Sequence, residues 1–448
     1  MSALRRRLAL DRPELLAWAL YDWANSAMLT VVVTAIFPVF YARVAAADLS
    51  PGTATSRFTL VTTVCMIATA CLSPLLGAVA DVGAKKKFFL GLFLALGALA
   101  TAAMFTISRG EWVWALALFA LANIGATASF VFYDSLLPHI AGPREIDRVS
   151  TSGYALGYVG GGLALGACLF LIEQRPWFGF APPVGDGGAG DTLPARLSFV
   201  VVAVWWVVFS LPLFLRVKEP ARRYEADESP QSGSAIRVAF TRLLETVREL
   251  SRYRQAFLFL CAFLAYNDGI GTIIRMAAIY GEEMRIPEAT MIGAILAVQF
   301  IGVPCSFAFG ALSTRIAPKR LIQYSILVYL GISVLAWRMS SPWHFWALAI
   351  LVGLVQGGSQ ALSRSLFASM IPRHKSGEFF GLFSVLEKFA GILGPGLFWL
   401  TQLATGSSRQ GILSVVVFFV VGAWLLSKVD VEAGQRAARE ADLEVRPA

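Results

Sequence analysis

Twelve long apolar runs, separated by short polar segments, dominate the pattern of hydrophobic and polar positions. A helix needs roughly 20 apolar residues to cross a hydrocarbon core of about 30 Å, so each run is long enough for one crossing. The predicted spans are 15–43, 57–80, 87–107, 111–138, 150–173, 195–216, 255–280, 288–312, 320–338, 342–370, 378–403 and 409–428. The pattern therefore predicts an all-α membrane protein with twelve transmembrane helices.

Composition supports this prediction and adds an orientation. Hydrophobic residues make up 57% of the chain and charged residues only 15%, which is not the composition of a soluble globular protein. With a cytoplasmic N-terminus, 27 of the 38 Lys and Arg residues fall in cytoplasmic segments and 8 in external loops. Positive charge gathers on the cytoplasmic side of membrane proteins, so we expect both termini there. The net charge of +9 is then explained without a nucleic-acid partner.

Three segments of the first six spans recur in the last six at nearly one offset, which indicates duplication. An even number of helices separates the copies, so the two halves have the same orientation, an arrangement typical of major facilitator transporters. The matches are GAVADVGAKKK (from Gly77) with GALSTRIAPKR (from Gly310), Ser135 and Pro138 with Ser369 and Pro372, and GYVGGGL (from Gly157) with GILGPGL (from Gly391).

The repeats and spans define five regions. Residues 15–216 form an N-terminal six-helix bundle and 255–428 a C-terminal one. Residues 217–254 form a charged cytoplasmic connector, in which apolar residues at helical spacing predict an amphipathic helix on the membrane surface. Residues 1–14 are a cytoplasmic N-terminus, and we expect the cytoplasmic tail, 429–448, to be disordered.

The loop after the second span resembles the signature loop of the major facilitator superfamily. It contains Gly77, Asp81, Gly83 and Lys85. A tight glycine turn there lets the carboxylate reach a neighbouring helix end, so the loop can latch one conformation. The second glycine comes one residue early and Val82 replaces the expected arginine. The alternative is an ordinary basic cytoplasmic turn.

Charged residues inside the predicted helices are functional candidates, because a charge in lipid costs several kcal/mol unless it is paired or faces water. Asp268 lies about 13 residues into the seventh span, or roughly 20 Å from its start, close to the midplane. It is the best candidate for a group that faces a central cavity. Arg275 follows seven residues later on the same helix face and either pairs with Asp268 or reaches the external surface.

A second group of charges lies nearer the cytoplasmic face. Arg364, Glu387 and Lys388 each sit roughly 12 to 14 Å from that face. An Arg364–Glu387 pair would leave Lys388 for substrate or for another acid. A structural or gating ion pair is the alternative to direct substrate contact. Asp22 and Asp134 lie at cytoplasmic helix ends, where interfacial water also accounts for a charge.

Amides can line a cavity or bond one helix to another. Five lie within the spans: Asn25, Asn123, Gln299, Gln356 and Gln360. The three histidines fall near helix ends without metal-ligand spacing, and the sequence contains no nucleophile or nucleotide motif. We therefore expect no enzymatic activity, no cofactor and no metal.

Five strings resemble the vacuole effluxer, autophagy-related family and its bacterial relatives, known as the Unknown Major Facilitator family. They are YDWANSA from Tyr21, SGYALGYVGGG from Ser152, YNDGIGTIIRMAAIYG from Tyr266, QGGSQALSRSLFASMIP from Gln356 and EFFGLF from Glu378. The resemblance implies a transporter, and fungal members release amino acids from the vacuole. It highlights Asp22, Asn25, Asp268, Arg275, Gln356, Arg364 and Lys388.

The sequence therefore predicts a secondary active transporter that moves a small solute by alternating access, with Asp268 as the proton-coupling group. An amino acid is the favoured substrate, and a bacterial plasma membrane and a monomeric state are expected. A sugar or drug carrier would instead rely on aromatic residues such as Trp23, Tyr154 and Tyr158. A non-transporting sensor or scaffold of the same fold is the third interpretation.

Overall fold

Helices account for nearly all of the chain in the computed structural model, which describes residues 8–180, 189–221, 223–224, 253–389, 393–444 and 446–447. The first half contains α1 (Pro13–Ala45), α2 (Pro51–Gly83), α3 (Lys86–Ala103), α4 (Trp112–Ile140), α5 (Ile146–Glu173) and α6 (Ala189–Arg216). The second contains α7 (Arg254–Glu283), α8 (Glu288–Leu312), α9 (Pro318–Trp337), α10 (Pro342–Ser369), α11 (Ser376–Phe389 and Leu393–Thr405) and α12 (Ser408–Ser414 and Val416–Lys428).

These helices confirm the predicted all-α membrane architecture. Ten of them are long and apolar enough to cross a membrane, and α8 contributes a shorter apolar stretch, Leu296–Leu312. The remaining helix, α11, is described in two segments on either side of residues 390–392. Large apolar side chains such as Leu60, Leu99 and Phe300 are exposed around the outside of the bundle, where a soluble protein would carry polar groups.

Helix packing shows the predicted duplication. In the first half α3 packs on α4 and α6, and the equivalent helix α9 packs on α10 and α12. The halves meet through α2 against α11 and α5 against α8, two contacts that are related by a shift of six helices. Most of the predicted connector helix within 217–254 lies outside the described residues.

Helix α1 is wound unusually. Residues Met28–Ile36 and Tyr41–Ala45 form π-helical turns between α-helical segments. π-helical turns are rare and occur frequently at functional sites. Leu29, Thr30 and Val33 of the longer π segment face the space between the two halves.

The expectation of a disordered tail is wrong, because residues Val431–Leu443 form a further helix, α13. Asp430 caps its start, accepting a hydrogen bond of 2.9 Å from the Ala433 amide. Small residues bury one face of the helix (Gly434, Ala438 and Ala441), and most of its charged residues are exposed (Glu432, Arg436, Arg439 and Glu440). Such a narrow face of glycine and alanine adds little hydrophobicity, so the charged composition of the tail gave no sign of a packed helix. Arg446–Pro447 then pairs with Arg223–Tyr224 in a two-residue antiparallel ladder.

Candidate functional site

Two adjoining chambers lie between the halves. We call the end of the bundle at which α1 begins and α12 ends the termini face. The inner chamber, nearer this face, has a volume of about 270 Å³, and the outer chamber has one of about 410 Å³. Leu29, Thr127, Tyr154 and Gln360 line both chambers, so the two form one path.

The outer chamber is rich in amides. Asn123, Asn267, Gln356 and Gln360 line it, and the Gln360 amide donates a 2.8 Å hydrogen bond to Asn267. Among the described residues that line this chamber, Arg275 is the one with a permanent charge. The outer chamber is therefore a polar pocket with a positive end.

The floor of the inner chamber is a buried ion network centred on Arg364 of α10. Its guanidinium donates to Asp22 of α1 at 3.1 Å and to Asp134 of α4 at 3.2 Å. It also reaches Ser150 of α5, donating to the hydroxyl at 2.9 Å and to the backbone carbonyl at 3.0 Å. One arginine of the second half thus holds three helices of the first, and two carboxylates share one cation.

Aromatic rings enclose this network. The Arg364 guanidinium lies 4.8 Å from the ring centroid of Trp18 and 4.5 Å from that of Tyr154, and only 3% of the side chain is exposed. The Tyr133 hydroxyl donates to Asp22 at 2.9 Å, and the Trp18 indole donates to the Tyr133 carbonyl at 3.0 Å. Cation–π contacts and excluded water both strengthen the ion pairs. The network closes the termini side of the cavity.

The signature loop forms a second closed layer below the network. Asp81 is ion-paired with Lys86 and accepts a 2.9 Å hydrogen bond from the Glu378 amide in the first turn of α11. Lys86 also donates to the Ser376 hydroxyl at 2.6 Å. The predicted contact between this carboxylate and a neighbouring helix end is therefore present, and a helix N-terminus is where a carboxylate is favoured.

The closure brings backbone against backbone. A Cβ atom added to Gly77 would lie 2.1 Å from the Gly377 carbonyl oxygen, closer than any real Cβ contact. The other two predicted loop residues, Gly83 and Lys85, are exposed at the turn. The lysine that pairs with Asp81 is the next one, Lys86, because it begins α3 and its side chain is buried in the interface.

Asp268 lies behind the chamber wall. Its side chain is fully buried, and neither carboxylate oxygen has a hydrogen-bond partner among the described residues. The Gly394 amide of α11 faces it without reaching hydrogen-bonding geometry. Arg275 does not hydrogen-bond to it either, so the Asp268–Arg275 pair, one of the two predicted alternatives, is not formed. Asn267 and Gly271, close to Asp268 on α7, line the outer chamber.

The other predicted site residues are placed as follows. Asn25 lies between α1 and α4, where its amide donates to the Ala126 carbonyl and the Ser129 hydroxyl at 3.4 Å each. Gln356 lines the outer chamber. Glu387 and Lys388 belong to α11, but their side chains lie outside the described part of the chain, and so does the predicted Arg364–Glu387 pair.

Sequence comparison identifies the family. The model of the family described as vacuole effluxer Atg22 like matches residues 10–439, nearly the whole chain. The chain belongs to this Atg22-like family. It is 34% identical over 428 residues to an uncharacterised major facilitator superfamily-type transporter, YxiO of Bacillus subtilis, covering 95% of this chain and 96% of that protein.

More distant matches agree with this assignment. Autophagy-related protein 22 of Yarrowia lipolytica is 27% identical over 320 residues, covering 65% of this chain and 51% of the fungal protein, so the chain spans about half of that relative. The crystal structure of the human organic anion transporter MFSD10 superposes with a TM-score of 0.70 at 14% identity, covering 94% of this chain and 99% of that one. The fold is that of the major facilitator superfamily.

Membership in the Atg22-like family makes this chain a multi-pass membrane transporter, and transporters of this class are not enzymes. Sequence reasoning missed two residues that complete the buried ion network of this Atg22-like transporter: Tyr133 and Ser150. A tyrosine and a serine in apolar or glycine-rich runs carry no charge signal. Their roles follow from contacts between helices that are far apart in sequence.

Proposed function

We propose that this chain is a secondary active transporter that works by alternating access, with its termini face on the cytoplasmic side of a bacterial plasma membrane and the monomer as its working unit. The observation that carries the proposal is the cavity between two equivalent bundles, closed at the termini face by the Arg364 network. Rocking of the halves would break this network and open the cavity at the termini face. The excess of Lys and Arg at that face supports the orientation.

An amino acid fits the charge distribution along the cavity. Asp22 and Asp134 share one arginine, so the formal charges of the described residues that line the inner chamber sum to −1. Arg275 gives the outer chamber a charge of +1. A zwitterion placed with its ammonium group inward and its carboxylate outward complements both ends, and the chamber amides would bond to its uncharged parts.

Replacing Arg275 by glutamine is expected to raise the KM for a transported amino acid about tenfold or more, because one charge-assisted hydrogen bond to the carboxylate is lost. Initial uptake rates into proteoliposomes measure the effect. Arg338, an exposed arginine just beyond α9, provides the matched control, and Arg338→Gln should leave the KM unchanged. An unchanged KM in Arg275→Gln would remove this arginine from the binding site.

Proton coupling is assigned to Asp268. A buried carboxyl group without a hydrogen-bond partner is most stable in its neutral form, so it can take up a proton in one state and release it when water or a cation approaches. It lies beside the outer chamber, where solute binding would change its surroundings.

Replacing Asp268 by asparagine is expected to abolish accumulation driven by a proton gradient while exchange of labelled for unlabelled solute continues. Asparagine keeps the size of the side chain but cannot release a proton. The two assays run on the same proteoliposomes, so the exchange rate reports folding and binding. Undiminished proton-driven accumulation would assign the coupling to another group.

Counterflow of radiolabelled amino acids, combined with a thermal-shift screen of sugars, drugs and other metabolites, tests the substrate class. The sugar or drug alternative relied on Trp23, Tyr154 and Tyr158. Tyr154 and Tyr158 line the inner chamber and still support it. Trp23 supports it less, because its ring is stacked on Trp205, with ring centroids 5.7 Å apart. Counterflow with none of these solutes, together with no thermal shift, would favour the sensor or scaffold interpretation.

A further inference from the structure

We infer that the C-terminal helix α13 positions the gate loop of the second half, and that Asp442 is the residue through which it acts. The gate loop is the short turn from Met370 to Lys375 between α10 and α11. This inference rests on the alternating-access cycle proposed above. It concerns what keeps the gate loop in position when the gate is closed, which the Arg364 network alone does not explain.

Asp442 binds the gate loop at its centre. One carboxylate oxygen accepts hydrogen bonds from the Arg373 amide at 2.9 Å and from the His374 ring at 3.3 Å. The other oxygen lies 4.0 Å from the Arg373 guanidinium. A carboxylate that binds a backbone amide and two side chains of one turn fixes both the position and the direction of that turn.

Two further contacts hold α13 against the same structure. Gln435 donates to the Ser369 hydroxyl at 3.1 Å, at the end of α10. The helix starts against α7, where the Asp430 amide donates to the Gln255 side chain at 2.8 Å. Gly434 lies directly against Met370, so close that an added Cβ would sit 3.0 Å from its sulfur. The helix is thus docked along its length on the second half.

The contacts that close the gate begin immediately after this loop. The Ser376 hydroxyl accepts a 2.6 Å hydrogen bond from the Lys86 ammonium and donates one of 3.0 Å to the Ser135 carbonyl. The Glu378 amide donates a hydrogen bond to Asp81, and the backbones of Gly377 and Gly77 are in close contact. Such a fit tolerates little displacement, so a loop that is free to shift would weaken all of these contacts together.

The space beside α13 agrees with this role. A cavity of about 390 Å³ separates the helix from the α4–α5 turn of the first half, with Pro138 and Pro143 on one side and Ala438 and Asp442 on the other. Among the described residues, α13 packs mainly on α7, α10 and the gate loop of the second half, so we expect the helix to move with that half when the gate opens. It therefore stabilises the loop from the side of the second half.

The test measures the open fraction of the gate by pulsed electron paramagnetic resonance on the full chain in nanodiscs. Spin labels replace Arg144 in the first half and Arg315 in the second, both exposed at the termini face, after the five native cysteines are changed to serine. Asp442→Ala is expected to raise the open, longer-distance fraction roughly tenfold, the effect of losing one charge-assisted hydrogen bond. Asp442→Asn keeps an acceptor for the Arg373 amide and should fall between Asp442→Ala and the parent.

Glu440→Ala is the matched control, because Glu440 is exposed on the same helix. Its distance distribution should equal that of the parent, and both it and Asp442→Ala should keep a cooperative thermal unfolding transition, which shows that they are folded. A chain that stops before Asp430 should open at least as much as Asp442→Ala. Distributions that coincide in the parent, Asp442→Ala and the shortened chain would overturn the inference. The labels need neither solute nor gradient, so this result is independent of whether the transport assignment holds.

Discussion

Replacing Arg364 by methionine is expected to abolish transport and to lower the free energy of unfolding by about 3–5 kcal/mol, the range for a broken buried ion pair. Polar contacts between membrane helices average only about 0.6 kcal/mol, which would predict a far smaller loss. The larger figure applies because the change leaves Asp22 and Asp134 buried together without their shared cation. Thermal unfolding in detergent and uptake into proteoliposomes measure the two effects.

The triple variant Arg364→Met, Asp22→Asn, Asp134→Asn separates charge balance from gating. It removes the cation and both carboxylates, so most of the lost stability should return. Transport should remain absent, because the described ion pairs that link α10 to α1 and α4 in the closed state are then lost. A triple variant that transports normally, or an Arg364→Met variant as stable as the parent, would show that the network does not control the gate.

Changing Gly77 to alanine should reduce transport about a hundredfold. The added methyl carbon would lie 2.1 Å from the backbone oxygen of Gly377, so the halves must separate to accommodate it. Overpacking costs about 1–3 kcal/mol, and a backbone atom that cannot rotate away places this case at the upper end. A cost of 3 kcal/mol lowers the closed population roughly 150-fold. Uptake rates and the label distances described above report the loss and its cause.

Gly162 supplies the matched control, since an added Cβ there meets nothing within 4 Å. Gly162→Ala makes the same chemical change in a transmembrane helix and should transport like the parent. A Gly77→Ala protein that transports at the parental rate would mean that α2 and α11 need not approach this closely during the cycle.

The architecture could be predicted from sequence because lipid imposes a strong requirement. Each crossing needs a long apolar run, and each half repeats the same order, so spans, duplication and orientation follow from hydropathy and charge. The position of Asp268 within α7 could also be estimated, since helical rise converts residue number into depth. The loop containing Asp81 was predicted to touch a neighbouring helix end, and it does.

Pairing between distant helices was not predictable in the same way. Arg364 meets Asp22 and Asp134, residues 342 and 230 positions away, and no local pattern encodes such partners. Distance along the chain favoured Glu387 on the next helix. The tail was misjudged for another reason: its docking face is made of small residues, which stabilise a helix through close approach rather than through hydrophobic area.

Duplication did not extend to the ion network. At the offset of 234 that aligns the two halves, the position equivalent to Arg364 is Phe130, a residue that cannot hold a carboxylate. The framework is thus nearly two-fold, whereas the Arg364 network has no counterpart among the described residues at the equivalent position and lies toward the termini face. We expect the substrate-free protein to rest with the termini side of the cavity closed. The free energy needed to separate Arg364 from its carboxylates would then limit the rate of the return step.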